Sequence, residues 1–258
     1  MYEAVYMAAT GLTQQQLRLD TIANNVANVN TVGYKATRLD FKDALYTANS
    51  LGPLGSPEEN HQKGHGVMAA YNNRLFYTGA LVATERELDF AIVGPGYFEM
   101  ESAAGESLYT KGGNLYISDT SADGRQYLVD SAGRFVHDMD GSRIAFPEGA
   151  TGLTCDENGV ITFMGLEEYA PVQMGLFSFD NQAALEAVGD SSFRVSASSG
   201  PARPDGEVTL RQGALEASNV SLSDEMTRMI RAQRAFSLAS RALTTADDME
   251  GIANNMRR

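Results

Sequence analysis

Apolar residues recur every seven positions at both ends of the chain, and this spacing constrains the fold more than any other feature. The residues in question are Val5, Leu12, Leu19 and Val26 near the start, and Met229, Phe236 and Leu243 near the end. A seven-residue repeat keeps a narrow apolar row on one side of an α-helix, and a partner helix buries such a row well. The spacing predicts amphipathic helices over about residues 2–29 and from about residues 219–221 onward, packed in a coiled-coil-like pair.

Two further features support the terminal helices. Ser221 followed by Asp224 is typical of a helix start, and Asp224 and Glu225 place negative charge where the helix dipole favours it. The tetrapeptide IANN occurs at residues 22–25 and again at residues 252–255. A four-residue repeat can arise by chance, so it adds little to the spacing.

The terminal helices allow two interpretations. They can pair only with each other and cap the rest of the chain, or they can also contact other subunits, and the two are compatible. The sequence favours assembly, because a narrow apolar row suits helix–helix contact. We expect the subunit interface to include Val5, Leu12, Leu19, Ile22, Val26, Leu222, Met226, Met229, Ile230, Phe236, Leu243 and Ile252.

The middle of the chain has strand character instead. Short apolar or β-branched runs alternate with turn sequences at residues 131–133, 138–141 and 157–159, and two runs flank Gly94–Gly96. Residues 34–46 predict a polar extended or short helical segment, and residues 48–66 contain enough glycine and proline to predict a loop or linker. The expected fold is α+β: an N-terminal helix (1–33), a connector (34–74), a mostly antiparallel β domain (75–215) and a C-terminal helix (216–258).

Charge is distributed unevenly along the chain. The net charge of −13 argues against a duplex nucleic-acid partner, which requires a basic face. Residues 1–47 and 216–258 are each balanced, whereas residues 48–215 contain 23 acidic and 10 basic residues. Neutral ends can pack in many copies without accumulating repulsion, as expected of a polymer subunit.

The sequence also bears on membrane insertion, export and disulfide formation. It contains no run of roughly 18 to 20 apolar residues, so no membrane insertion is expected. The first residues lack the features of a secretory signal, so any export uses another route. Cys155 is the single cysteine, which excludes an intramolecular disulfide.

No motif predicts a catalytic, cofactor or metal site. The histidines are His61, His65 and His137; the first two lie among glycines, with no cysteine partner or carboxylate cluster in a ligand pattern. Residues 138–141 lack the alternating ligands of a calcium loop and predict an ordinary β-turn. No helix is predicted after Gly94–Gly96 to complete a phosphate site, and no nucleophile motif occurs. We therefore expect no enzyme activity, no cofactor and no metal.

Several long motifs resemble the bacterial flagellar rod and hook proteins. The N-terminal motifs are TGL at 10–12, QQQ at 14–16, IANNVANVNT at 22–31, GYK at 33–35 and FKDALY at 41–46. The middle and C-terminal motifs are LDFAI at 88–92, GPGYF at 94–98, YTKGGNL at 109–115, GALEASNV at 213–220, MIRAQRAF at 229–236 and TTADDM at 244–249. Together they bracket nearly the whole chain. FKDALY and the breaker-rich segment after it are most similar to the distal rod type.

This resemblance implies a structural subunit that polymerises helically into a hollow rod and transmits torque from motor to hook. It implies export through the flagellar channel without a cleaved signal, and a basal-body location crossing the periplasm or cell wall. The implied partners are further copies, neighbouring rod and hook proteins, the export apparatus and the surrounding rings. A proximal rod protein is the alternative within the family. A binding or enzymatic β domain with dimerising terminal helices is the alternative from another class.

Overall fold

The computed structural model describes residues 2–49, 61–102, 104–118, 124–165, 169–205 and 208–256. The chain divides into two compact units. The helical unit comprises Met1–Ala27, Thr37–Arg74 and Ser221–Arg258, and the β unit comprises Asn28–Ala36 and Leu75–Val220. Each unit therefore combines segments that are distant in sequence.

Two long helices and two strand pairs form the described part of the helical unit. Its elements are α1 Tyr2–Ala27, β1 Thr37–Asp43, β2 Tyr46–Asn49, β3 His61–Gly64, β4 Val67–Arg74 and α2 Leu222–Asn255. The two helices pack against each other, which confirms the predicted pairing. β1 pairs with β4 and β2 pairs with β3, both antiparallel. Ser221 is the N-cap of α2, and its hydroxyl accepts a hydrogen bond from the Asp224 amide, as its sequence predicts.

The connector differs from its sequence-based expectation. Its described residues contain four strands. β1 agrees with the extended alternative for residues 34–46, whereas residues 48–66 predicted a loop and no strand was expected in residues 61–74. Leu39 and Phe41 alternate with charged residues in β1, a pattern typical of a half-buried strand. The partner strand begins 24 residues after β1 ends, so a local pattern could not reveal the pairing. Residues 50–60, which include most of the predicted breakers, lie outside the described residues.

The β unit is built from short antiparallel strands, as predicted. They are β5 Leu81–Ala83, β6 Phe90–Val93, β7 Tyr97–Glu101, β8 Ser107–Thr110, β9 Tyr116–Ile117, β10 Gln126–Val129, β11 Phe135–Val136, β12 Ala145–Phe146, β13 Gly152–Cys155, β14 Val160–Met164, β15 Val172–Gln173, β16 Leu176–Ser178, β17 Glu186–Gly189, β18 Ser192–Arg194, β19 Arg203–Pro204, β20 Thr209–Gln212 and β21 Ala214–Glu216. A 3-10 helix spans Gln182–Ala184.

One large sheet and several small ones organise these strands. Among the described residues, the largest sheet has 10 strands, and its main path runs β12-β10-β11-β7-β8-β18-β17. β9 joins at β10, β16 joins at β7, and β19 joins at β16. The remaining sheets are β13-β14-β15, β20-β6 and β21-β5.

Strand β7 has a buried cluster on each side. Phe98 and Met100 belong to an aliphatic and aromatic core with residues such as Ile92. Tyr97 belongs to a second cluster, which is largely aromatic and includes Phe193. Since successive side chains of a strand point to opposite faces, one strand contributes to both cores.

The predicted turns are found, with one difference in connectivity. Residues 131–133 join the paired strands β10 and β11, and residues 157–159 join β13 and β14. The Asp138 carboxylate accepts hydrogen bonds from the amides of Asp140 and Ser142, which forms an ordinary turn as predicted. The strands flanking Gly94–Gly96 do not pair with each other, because β6 pairs with β20 while β7 enters the large sheet.

Candidate functional site

Apolar side chains remain exposed on both helices of the helical unit. On α2 the exposed set includes Met226, Ile230 and Ile252, which retain 51%, 52% and 59% of their accessible surface. Tyr6, Met7 and Leu17 are exposed on α1. Isolated exposed apolar residues are common, but a concentration of them on a helix pair is typical of a surface covered by another protein. We therefore consider the outer surface of this pair the candidate functional site.

The residues expected at the subunit interface fall into two groups in the structure. Ile22 is buried, and seven others are partly buried: Val5, Leu12, Leu19, Val26, Met229, Phe236 and Leu243. Leu222, Met226, Ile230 and Ile252 are exposed. The exposed group has the larger share of its apolar surface available for contacts with another molecule, between 40% and 59% for each residue. The role of both groups between subunits stays a prediction.

Two of the three buried residues described in α2 are alanines, and the apolar spacing had not singled them out. Ala232 and Ala246 are buried, while Phe236 and Leu243 are partly buried. Ala232 and Ala246 are separated by two heptads, so they continue the same helical row. An alanine allows the backbone of a partner helix to approach closely. The sequence does contain these alanines at a heptad spacing, but alanine is so common in helices that the spacing alone does not predict a close helix–helix contact.

The two copies of the IANN tetrapeptide lie in different environments. Ile22 and Asn25 are buried, whereas Ile252 and Asn255 are exposed. The repeat therefore does not mark two equivalent contacts within the described chain.

Asn25 connects α1 to β1 and α2 through hydrogen bonds that sequence reasoning missed. Its side-chain oxygen accepts from the Thr37 amide at 2.9 Å, and its side-chain nitrogen donates to the Thr37 carbonyl at 2.8 Å. The same nitrogen lies 3.4 Å from the Glu225 carboxylate, which also accepts a 2.8 Å hydrogen bond from Arg228. The buried Asn25 thus fixes the start of the β1 strand relative to both helices.

The β unit joins two distant segments through a buried polar cluster. The Lys35 ammonium forms an ion pair with Glu216, and both side chains are fully buried. The same Glu216 oxygen accepts a 2.7 Å hydrogen bond from the Gly79 amide. Asn219 accepts from the Ala36 amide at 2.7 Å and donates to the Leu75 carbonyl at 2.7 Å. These contacts hold residues 28–36 against residues 216–220, and we call them the junction cluster.

Within the described ranges, no group of three or more His, Cys, Asp or Glu side chains is arranged to hold a metal ion. In the same residues, no helix is both long and apolar enough to span a membrane.

These features define a class of protein: an α+β subunit whose two chain ends pair as helices, with a large antiparallel β unit inserted between them in sequence. Three family models match the chain. The flagella basal body rod protein model matches residues 5–35, the flagellar hook protein FlgE/F/G D1 domain model matches residues 91–163, and the flagellar basal body rod FlgEFG protein C-terminal model matches residues 211–256.

Curated relatives extend the similarity to the full length. The chain is 37% identical to the flagellar basal-body rod protein FlgG of Borreliella burgdorferi over 278 aligned positions, covering 100% of both chains. It is 33% identical to FlgG of Bacillus subtilis, again over 100% of both chains. It is 35% identical to FlgG of Caulobacter vibrioides over 99% of both chains. The chain belongs to the flagellar basal-body rod protein family, whose members are structural proteins.

Proposed function

We propose that this chain is a structural axial subunit of the bacterial flagellar basal-body rod, of the distal rod type. Its similarity to FlgG rod proteins over the full length of both chains carries the proposal. In this role, many copies polymerise helically into a hollow, rigid shaft that transmits torque from motor to hook. The role is mechanical and requires no catalysis.

The exposed apolar side chains of the helical unit support polymerisation. Met226, Ile230 and Ile252 each keep more than half of their surface exposed in the single chain. Covering the exposed half of such a side chain against a neighbouring copy contributes about half the value of a full burial, roughly 0.8–1.5 kcal/mol. Contacts between different surfaces of identical chains repeat without closing and produce an open helical assembly.

Location and partners follow from the same proposal. The subunit acts in the flagellar basal body, where it meets further copies of itself and neighbouring rod and hook proteins. We also propose contacts with the surrounding rings, and delivery through the flagellar export apparatus without a cleaved signal. The rod assembled from the exported subunits then crosses the periplasm or cell wall.

A matched pair of substitutions on α2 tests the role of its exposed apolar surface. Ile230 and Gln233 are both exposed, and each would be replaced by Asp in a flagellated strain that relies on this chain. Ile230→Asp places a charge where a neighbouring copy is expected to bury the side chain, so rods and swimming should be lost. Gln233→Asp introduces the same charge at a polar exposed position and should have a much smaller effect.

Electron cryomicroscopy of isolated basal bodies and swimming assays provide the measurements. Circular dichroism of the purified chains checks that both variants retain their helices. Normal rods in the Ile230→Asp strain would contradict an intersubunit role for this surface. The absence of the unaltered chain from isolated rods would contradict the proposed function itself.

A further inference from the structure

A groove in the helical unit lies between α1, β1 and the start of α2. Its volume is about 310 Å³. Ile22, Leu39 and Phe41 supply apolar surface to its walls, and three arginines and two carboxylates supply the charge. The groove is therefore suited to a ligand with both an apolar part and a charged group.

Two of the three arginines are neutralised within the groove. Arg38 contacts both carboxylate oxygens of Asp40, at 3.0 and 3.1 Å. Arg228 donates a 2.8 Å hydrogen bond to the buried Glu225. These pairs remove most of the local positive charge.

Arg18 is the remaining cation. Its guanidinium lies over the ring of Phe41, 5.8 Å from the ring centroid. None of the ion pairs among the described residues includes Arg18. A guanidinium can bind a carboxylate through two parallel hydrogen bonds, and the contact with Phe41 places the Arg18 guanidinium beside the apolar wall of the groove. The groove thus presents one unneutralised arginine beside apolar side chains, and its complement is a carboxylate on an apolar stem.

The charge of the two units indicates where this carboxylate comes from. The helical unit contains 11 acidic and 11 basic residues, whereas the β unit contains 22 acidic and nine basic residues. The entire net charge of −13 therefore belongs to the β unit. When many copies pack together, β units repel one another unless cations from neighbouring copies compensate them. Arg18 is such a cation, held in a groove that can admit a side chain.

We propose that the groove binds an acidic surface segment of the β unit of a second copy, with Arg18 as the ion-pair partner of its carboxylate. This inference rests on the proposed function, because it assumes that copies of the chain pack together. It adds to that function one defined contact between subunits. The contact joins the neutral unit of one copy to the acidic unit of another.

Carbodiimide coupling of the Arg18→Lys variant tests this contact. The substitution keeps the positive charge and introduces an amine that a carbodiimide can join to a carboxylate in direct contact. The unaltered chain is the matched control, because its guanidinium does not react in this way. Basal bodies would be isolated from a strain that relies on the full-length variant, treated with carbodiimide and digested for mass spectrometry.

We expect a covalent dimer of the chain on a denaturing gel, formed by the variant and absent from the control. Its cross-link should join residue 18 to an acidic residue within residues 75–220. The dimer should be lost when coupling is performed at about 1 M salt, where the screening length falls to about 3 Å. Coupling within one chain, coupling to a different protein, or no coupling at residue 18 in rods that contain the variant would overturn the proposal.

Charge reversal provides a second test that does not depend on coupling. The Arg18→Glu variant should lose more rods than Arg18→Lys, because it reverses the charge in the groove, whereas lysine keeps the charge and gives up only the two parallel hydrogen bonds. Rods of normal number and length with Arg18→Glu would overturn the proposal even if the chain acts in the rod. The absence of the unaltered chain from isolated rods would instead refute the proposed function, and the inference with it.

Discussion

At the scale of single residues, the β unit contains two buried lysines in different environments. Lys35 is neutralised by Glu216. Lys111 donates a 3.0 Å hydrogen bond to the Gly94 carbonyl and lies over the ring of Tyr97, 5.1 Å from its centroid. Burial and the charge of Lys35 lower the pKa of Lys111 from 10.5 to about 8, although Glu216 opposes this change. Folding therefore favours the neutral form of Lys111.

This lowered pKa predicts a pH-dependent stability. Between about pH 8 and 10.5 the unfolded chain binds the Lys111 proton more strongly than the folded chain. The contribution of Lys111 to stability is fully present above about pH 10.5 and is lost as the pH falls to about 8. Replacing Lys111 by Met should remove this rise in stability, which is on the order of 3 kcal/mol. Urea unfolding followed by far-UV circular dichroism at several pH values measures it.

The effect of Lys111 on the pH dependence of stability must be separated from the effects of Cys155 and Tyr109. Burial raises the pKa of Cys155 to about 11, and burial with the nearby Glu99 raises that of Tyr109 to about 12. Both groups reduce stability as the pH rises, but both are present in the unaltered chain and in Lys111→Met. The difference between the two chains therefore reports Lys111, and Lys42→Met is the exposed lysine control. Equal pH profiles for the unaltered chain and Lys111→Met would contradict the prediction.

At the scale of elements, α2 packs closely at one alanine and leaves another in solvent. Ala232 is 1% exposed, whereas Ala242 is exposed on the same helix. Ala232→Leu should strain the contact with α1 and cost about 1–3 kcal/mol, as overpacking typically does. Ala242→Leu should change stability by less than about 0.5 kcal/mol. Thermal unfolding at 222 nm compares them, and equal melting temperatures would show that Ala232 does not limit the approach of the helices.

The helices were predictable because their apolar spacing and cap are local signals. Ser221 and Asp224 lie three residues apart, so the start of α2 could be predicted from the sequence. The β1–β4 pair could not, since its pairing depends on residues distant in sequence. The same limit explains why Asn25, whose partner Glu225 is 200 residues away, was not recognised as a structural residue. The sequence could predict that the candidate site consists of apolar residues on the helices. It could not predict which of these residues remain exposed.

At the scale of the whole molecule, residues 28–36 belong to the β unit although the chain passes through the helical unit before continuing at residue 75. The fragment 28–220 retains both sides of the junction cluster, whereas 37–220 lacks Lys35 and leaves Glu216 buried without its cation. Removing one partner of a buried ion pair typically costs about 3–5 kcal/mol. We therefore expect 37–220 to unfold at lower urea concentration than 28–220.

Urea titrations of the two fragments, followed by far-UV circular dichroism, measure this difference. A third fragment, 28–220 with Glu216→Gln and Lys35→Met, separates the lost ion pair from the shortened chain. It removes both charges while keeping the segment, so it should be more stable than 37–220. Equal midpoints for 28–220 and 37–220 would show that residues 28–36 do not stabilise the β unit.

The junction cluster also affects how fast the chain can fold. The Gly33 amide bonds to the Glu216 carbonyl at 2.9 Å, and Lys35 and Glu216 are 181 residues apart. Native contacts between such distant residues require closure of a very long loop, which slows folding. The β unit cannot be completed until residues near both ends of the chain are free to meet. A chain held extended in a narrow channel would therefore stay unfolded, and the first complete fold would form only after its last segment emerged.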